Sequence, residues 1–84
     1  MRYVVTYDLN RPTHSYAALW KALDGLNAVP VLRSQWAVSS AVMTAAEVRD
    51  HLRQFLEGTD ALLVMSLDDG EWAGTNLKSK LDAL

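Results

Sequence analysis

The chain has 84 residues, half of them hydrophobic and about a fifth charged, which fits one folded domain and excludes a disordered chain. It has no cysteine, so disulfides and thiolate metal sites are excluded as staples. The net charge of −2 argues against a general nucleic-acid coat.

That charge is uneven. Residues 1–43 carry Arg2, Arg11, Lys21 and Arg33 against Asp8 and Asp24, a net of +2, while residues 44–84 carry four basic and eight acidic residues, a net of −4. The N-terminus lacks the apolar length of a signal peptide, and no stretch approaches membrane-spanning length. A cytoplasmic location with no membrane partner is expected. A domain this small has a marginal core, so pairing with a second copy is one route to further burial.

Residues 2–9, "RYVVTYDL", are rich in β-branched and aromatic types and predict a first strand. "NRPT" breaks it, since Pro12 suits a loop or a first helical turn. From Thr13 the period changes. Tyr16, Leu19, Trp20 and Leu23 recur at i, i+3, i+4 and i+7, one apolar helix face, with Trp20 expected in the core. Gly25 in "DGLN" suits a left-handed cap.

"AVPVL" predicts a second strand, and Pro30 points to a sheet edge because it cannot donate to a ladder. "SQWAVSSAVM" alternates with period two and predicts the third strand, joined to the second by a tight hairpin at "RS". "TAAE", residues 44–47, is a capping box. Val48, Leu52, Phe55 and Leu56 give the second helix its face, and Gly58 is expected to end it. "ALLVMSL" is a continuous apolar run that suits a well-covered fourth strand. "DDGEW" reads as a charged turn, with Trp72 over a sheet edge or the back of the sheet. Leu77, Leu81 and Leu84 predict a short C-terminal helix, with a last strand as the alternative.

The order βαββαβ over residues 1–84 fits a single α+β domain of ferredoxin-like type. Right-handed crossovers give an antiparallel sheet of order 4-1-3-2 with both helices on one face. Strand three then runs beside strand one. Asp8 and the stretch Arg33–Trp36 fall at the same sheet end, along with the N-terminus of the first helix and its Asn10, Arg11, Thr13 and His14.

Three motifs carry a resemblance: "VVTYD" ending the first strand, "SQWAV" opening the third, and the late "GEWAG" before a leucine-spaced tail. With "YDLNRPTHSY", the chain resembles the CRISPR-associated Cas-two family, and more closely its SinR-like relatives. The resemblance covers nearly the whole chain. It implies a homodimer of ferredoxin-like subunits in which Asp8, near its dimer mate, serves divalent metal and phosphodiester cleavage, with Ser34 as a supporting polar group. The chain departs from the CRISPR proteins in having only Lys21 as a basic residue along the early helix. Its tail also reads as a helix where that family often supplies a strand to its partner.

The residues themselves leave alternatives. Asp8 can be a hard-metal ligand for Mg²⁺ or Mn²⁺, with waters and phosphate completing the shell, if a two-fold axis supplies a second carboxylate. The more common role of such a residue is a turn aspartate accepting backbone N–H bonds. Asn10, Arg11 and His14, with Arg33, can hold phosphate at a helix N-terminus, and His14 can act as acid or base. Alternatively, Asn10 or Thr13 caps the helix and the charged groups are solvated. Ser34 has no His/Asp relay at a readable spacing, so it is not read as a nucleophile. Trp36 can stack a base or belong to core or interface. His51 is expected to be exposed or to flank the core, and is not read as a ligand. The two functions in view are a dimeric metal-dependent endonuclease on RNA or DNA and a non-catalytic dimerisation or binding module.

Overall fold

The computed structural model describes residues 1–10, 16–68 and 73–76. Its elements are β1 (Arg2–Asp8), α1 (Ala17–Gly25), β2 (Val29–Leu32), β3 (Gln35–Ser39), α2 (Ala45–Arg53) and β4 (Ala61–Ser66). The chain is α+β. Its four strands form one antiparallel sheet in the order β2-β3-β1-β4, which is 4-1-3-2 read from the opposite edge. The expected helix start at Thr13, the turn residues from Asp69 to Trp72 and the tail helix of Leu77, Leu81 and Leu84 lie outside the described residues.

Strand alternation divides β1 between two environments. Tyr3, Val5 and Tyr7 join Leu19 and Leu23 of α1, Val48 and Leu52 of α2, and Val38 of β3 in one core. Val5, Leu19, Leu23, Val48 and Leu52 are fully enclosed, and each such side chain contributes about 1.5–3 kcal/mol by leaving water. The Tyr3 hydroxyl is satisfied inside this core by donating to the Met43 carbonyl at 2.7 Å.

The helix ends show how local chemistry sets boundaries. At α2 the Thr44 hydroxyl accepts the Glu47 N–H at 3.2 Å, and the Glu47 carboxylate accepts the Thr44 N–H at 2.9 Å. This is the capping box read from "TAAE". The helix ends at Arg53 with Gln54 as its cap, short of Gly58. Phe55 and Leu56 lie beyond it, in turns bonded back to Leu52 and Arg53, yet still pack on the core.

At α1 the left-handed residue is Asn27, at φ 58°, rather than Gly25. The Ala28 N–H reaches the Leu23 carbonyl and the Asn27 N–H reaches the Asp24 carbonyl, a Schellman closure. Asparagine tolerates this conformation, so the helix runs through Gly25.

β2 is an edge strand with an irregularity after Pro30, and Leu32 pairs with Gln35 across the two-residue turn Arg33–Ser34. β4 is the other edge, where its apolar run had suggested a covered position. Its register against β1 places Leu63 beside Thr6 and Met65 beside Val4, on the sheet face away from the helices. Leu63 is 54% and Met65 51% exposed. On that same face Val31 and Ala37 form a small buried cluster with Val29 and Leu67. Arg2 pairs there with Asp68 at 3.5 Å. Among the described residues no helix is long and apolar enough to cross a membrane.

Candidate functional site

The register of β1 against β3 pairs Val5 with Trp36 and Thr6 with Gln35. The ladder continues with the Tyr7 N–H donating to the Ser34 carbonyl at 3.1 Å. Asp8 follows Tyr7 at the end of β1, so Asp8 and the Arg33–Ser34 turn lie at the same sheet end, as the topology led one to expect, and all three residues are exposed. Among the described residues the Asp8 carboxylate takes no hydrogen bond, and neither Asp8 nor Arg33 forms an ion pair. On its other side Asp8 pairs with Ala61 of β4. A shallow groove of about 180 Å³ runs there, lined by Thr6, Asp8, Ala61 and Leu63.

Tyr7 organises the opposite side of this end. Its hydroxyl donates to the Arg33 carbonyl at 3.1 Å and accepts the Trp36 indole N–H at 2.9 Å. Burial raises the Tyr7 hydroxyl pKa above its usual value of 10.0, and the Trp36 hydrogen bond partly opposes the rise. Trp20, expected in the core, is instead 36% exposed. Its ring lies 5.4 Å from Tyr7 and stacks on Trp36 at 6.3 Å with an interplanar angle of 17°. The reason is angular. Leu19 and Leu23 point into the core, and Trp20 sits on the flank of α1 that faces β3.

Asn10 is placed differently from a helix cap or a free phosphate donor. Its side-chain amide donates to the Thr59 carbonyl, and its backbone N–H donates to the Asp60 carboxylate at 2.7 Å. Asp60 is the residue that sequence reading passed over. Its carboxylate also accepts the Tyr16 hydroxyl at 2.8 Å and the Glu57 N–H at 2.8 Å. It thereby ties the loop after β1 and the start of α1 to the entry of β4. A glycine followed by "TD" ahead of the apolar run was the available signal, but the partners Asn10 and Tyr16 stand far away in sequence. Arg11 and His14 lie outside the described residues.

Ser34 contributes its carbonyl to the ladder. His51 is half-buried, edge-on to Phe55 at 6.0 Å, as expected of a residue flanking the core. It lines a groove of about 460 Å³ between α1 and α2 with Ala22 and Leu26, away from Asp8.

The donor set decides what the site can hold. Among the described residues no three His, Asp or Glu side chains gather for a metal. One exposed carboxylate suits a hydrated hard cation that keeps waters and phosphate oxygens in its shell, but one chain does not enclose it. A second Asp8 across a two-fold axis would complete a two-carboxylate set. No protein-family model matches the chain.

Proposed function

We propose that the chain is a homodimer of the Cas-two-like and SinR-like kind, built of ferredoxin-like subunits, in which Asp8 from both subunits serves cleavage of RNA or DNA phosphodiesters. The observation that carries this reading is the exposed Asp8 carboxylate, without a partner among the described residues, at the sheet end that also bears the Arg33–Ser34 turn. The βαββαβ order and the strand adjacency support the fold type. Leu63 and Met65, exposed on the open sheet face beside Thr6 and Val4, support self-association through that face. Among the described residues the cation that the ladder places there is Arg2, already paired with Asp68.

On this reading Asp8 of each subunit would hold Mg²⁺ or Mn²⁺, which supplies Lewis acidity and an activated water when bound. Arg33 offers a planar donor pair for a phosphate, and Ser34 lies beside it as a supporting polar group. The test is cleavage of single- and double-stranded RNA and DNA with each metal, by the wild type and by Asp8→Asn. Metal-dependent cleavage lost in Asp8→Asn, with the dimer intact by sedimentation, supports the assignment. Equal activity of the variant overturns it.

A second reading, a non-catalytic dimerisation or binding module, is favoured by one specific feature. Apart from Asp8, the groove at this end is lined by Thr6, Tyr7, Ala61, Leu62 and Leu63, which bring no second carboxylate. A wild type that dimerises but cleaves no substrate with any metal selects this reading.

A further inference from the structure

The groove between α1 and α2 stands apart from Asp8 and from the open sheet face. Its volume of about 460 Å³ falls within the range of about 300–1,000 Å³ typical of small-ligand sites. On the α1 side it is lined by Ala18, Ala22 and Gly25, and Leu26 and Phe55, which also pack on the core, line it as well. The short side chains of α1 leave the space. Gly25 lies within the helix and has no left-handed φ, so its backbone does not require glycine. A Cβ at that position would have nothing within 4 Å, which leaves the groove open there.

The polar side chains of the groove are both basic. Lys21 and His51 line it, and among the described residues no carboxylate does. Lys21 is exposed and forms no ion pair among the described residues. His51 is edge-on to Phe55 at 6.0 Å, and among the described residues its ring nitrogens take no hydrogen bond. An imidazole carries an N–H donor whether neutral or charged. The acids of the two helices are committed or placed elsewhere. Asp50 pairs with Arg49 and Arg53, Glu47 serves the cap of α2, and Asp24 does not line the groove.

We propose that this groove binds a small amphiphilic carboxylate, with its apolar body against Ala22, Leu26 and Phe55 and its carboxylate at Lys21 and His51. The inference goes beyond the Asp8 reading and does not depend on it. An apolar groove whose polar groups are all basic repels a cation and gives a neutral ligand nothing to pair with the charge. Its size selects a small molecule over a protein. From Ala18 to Gly25 the helix rises only about 10 Å at about 1.5 Å per residue. That footprint falls well short of the roughly 800 Å² per partner that a stable protein interface buries, and a medium-chain alkyl carboxylate fits its length.

The test uses the full chain, isotope-labelled for amide NMR and titrated with sodium octanoate below its micellar concentration. Octanol and octyltrimethylammonium are the neutral and cationic controls. Saturable shifts at the amides of Ala22, Gly25, Leu26 and Phe55 are expected, with an affinity in the millimolar range for a ligand of this size. Octanol should bind about threefold to tenfold more weakly, and Lys21→Gln should lower octanoate affinity by a similar about threefold to tenfold. Octyltrimethylammonium should give no saturable shift. Gly25→Leu fills the groove and should abolish binding while its denaturation midpoint stays equal or rises, because leucine is the better helix former.

No saturable shift at these amides, equal affinity for octanoate and octanol, or undiminished binding by folded Gly25→Leu overturns the proposal. Unchanged octanoate affinity when Lys21→Gln is combined with His51→Gln overturns it too, since the carboxylate would then have no seat. An acidic amphipathic peptide that shifts these amides where octanoate does not would show a protein partner instead, and also overturns it. Asp8→Asn should bind octanoate as the wild type does. A loss of binding there would place the ligand at the Asp8 groove and overturn the proposal.

Discussion

The indole N–H of Trp36 donates to the phenolic oxygen of Tyr7 at 2.9 Å, and that hydroxyl donates onward to the Arg33 carbonyl at 3.1 Å. One side chain of β1 thus satisfies a tryptophan of β3 and pins the turn between β2 and β3. Tyr7→Phe leaves the indole N–H and the carbonyl without this partner. A loss of about 1–3 kcal/mol is expected for unmet polar groups of this kind, measured by urea denaturation at neutral pH.

The same hydroxyl gives a signed pH dependence. Burial raises the Tyr7 pKa in the fold, so the unfolded chain loses this proton at lower pH than the folded one. Stability from this group is fully present below the ordinary tyrosine pKa of 10.0 and is lost as pH rises through the raised folded value. Denaturation midpoints are expected to fall above about pH 10, and Tyr7→Phe should show a shallower fall. An identical alkaline slope in both proteins would remove Tyr7 as the cause.

Asp60 is a comparable junction on the other side. Asp60→Ala removes the acceptor shared by the Tyr16 hydroxyl and the N–H groups of Asn10 and Glu57. A destabilisation of about 2 kcal/mol or more is expected, since charged acceptors contribute more than neutral ones. Asp60→Asn should fall between wild type and alanine. Hydrogen exchange should show faster opening at Asn10 and Glu57 than at Val5.

The difference between what could and could not be read in advance follows from the range of the interactions. The first strand came from its β-branched and aromatic content, the third from period-two alternation and the fourth from an apolar run, while the α2 start came from Thr44 and Glu47, three residues apart, so local chemistry sufficed. The left-handed cap fell on Asn27 rather than Gly25 because the closure depends on which carbonyl Ala28 can reach. The "ALLVM" run carried no sign that Leu63 and Met65 would face outward, because that depends on the register Thr6–Leu63 and Val4–Met65. For the same reason the placement of Asp8 at the sheet end of Arg33 and Ser34 was legible through topology alone. The work of Asp60, whose partner Asn10 is 50 residues away in sequence at the end of the neighbouring strand, and the exposure of Trp20 were not.

The open face gives a separable prediction. Leu63→Lys with Met65→Lys places charge on two exposed positions of β4. Monomer stability should change by about 0.5 kcal/mol or less for each surface site, while the proposed self-association should weaken by at least tenfold in analytical ultracentrifugation. An unchanged dimer would show that association uses another face.

The capping box sets a scale for folding variants. Thr44→Ala is expected to cost about 1 kcal/mol and Leu52→Ala about 2–5 kcal/mol through a core cavity, both read by urea denaturation. Neither should alter nucleic-acid affinity once the chain is folded.

The central claim is that two Asp8 residues meet across a dimer. The chain has no cysteine, so Asp8→Cys introduces a single thiol that can bridge only to its mate. A disulfide needs Cα atoms about 4.4–6.8 Å apart. Under mild oxidation Asp8→Cys should run as a covalent dimer on a non-reducing gel, at protein concentrations where the wild type sediments as a dimer. A dimer that sediments intact yet in which Asp8→Cys is joined neither by oxidation nor by a short thiol-to-thiol crosslinker able to span a hydrated cation, while Leu63→Cys is joined, would contradict the paired-carboxylate site.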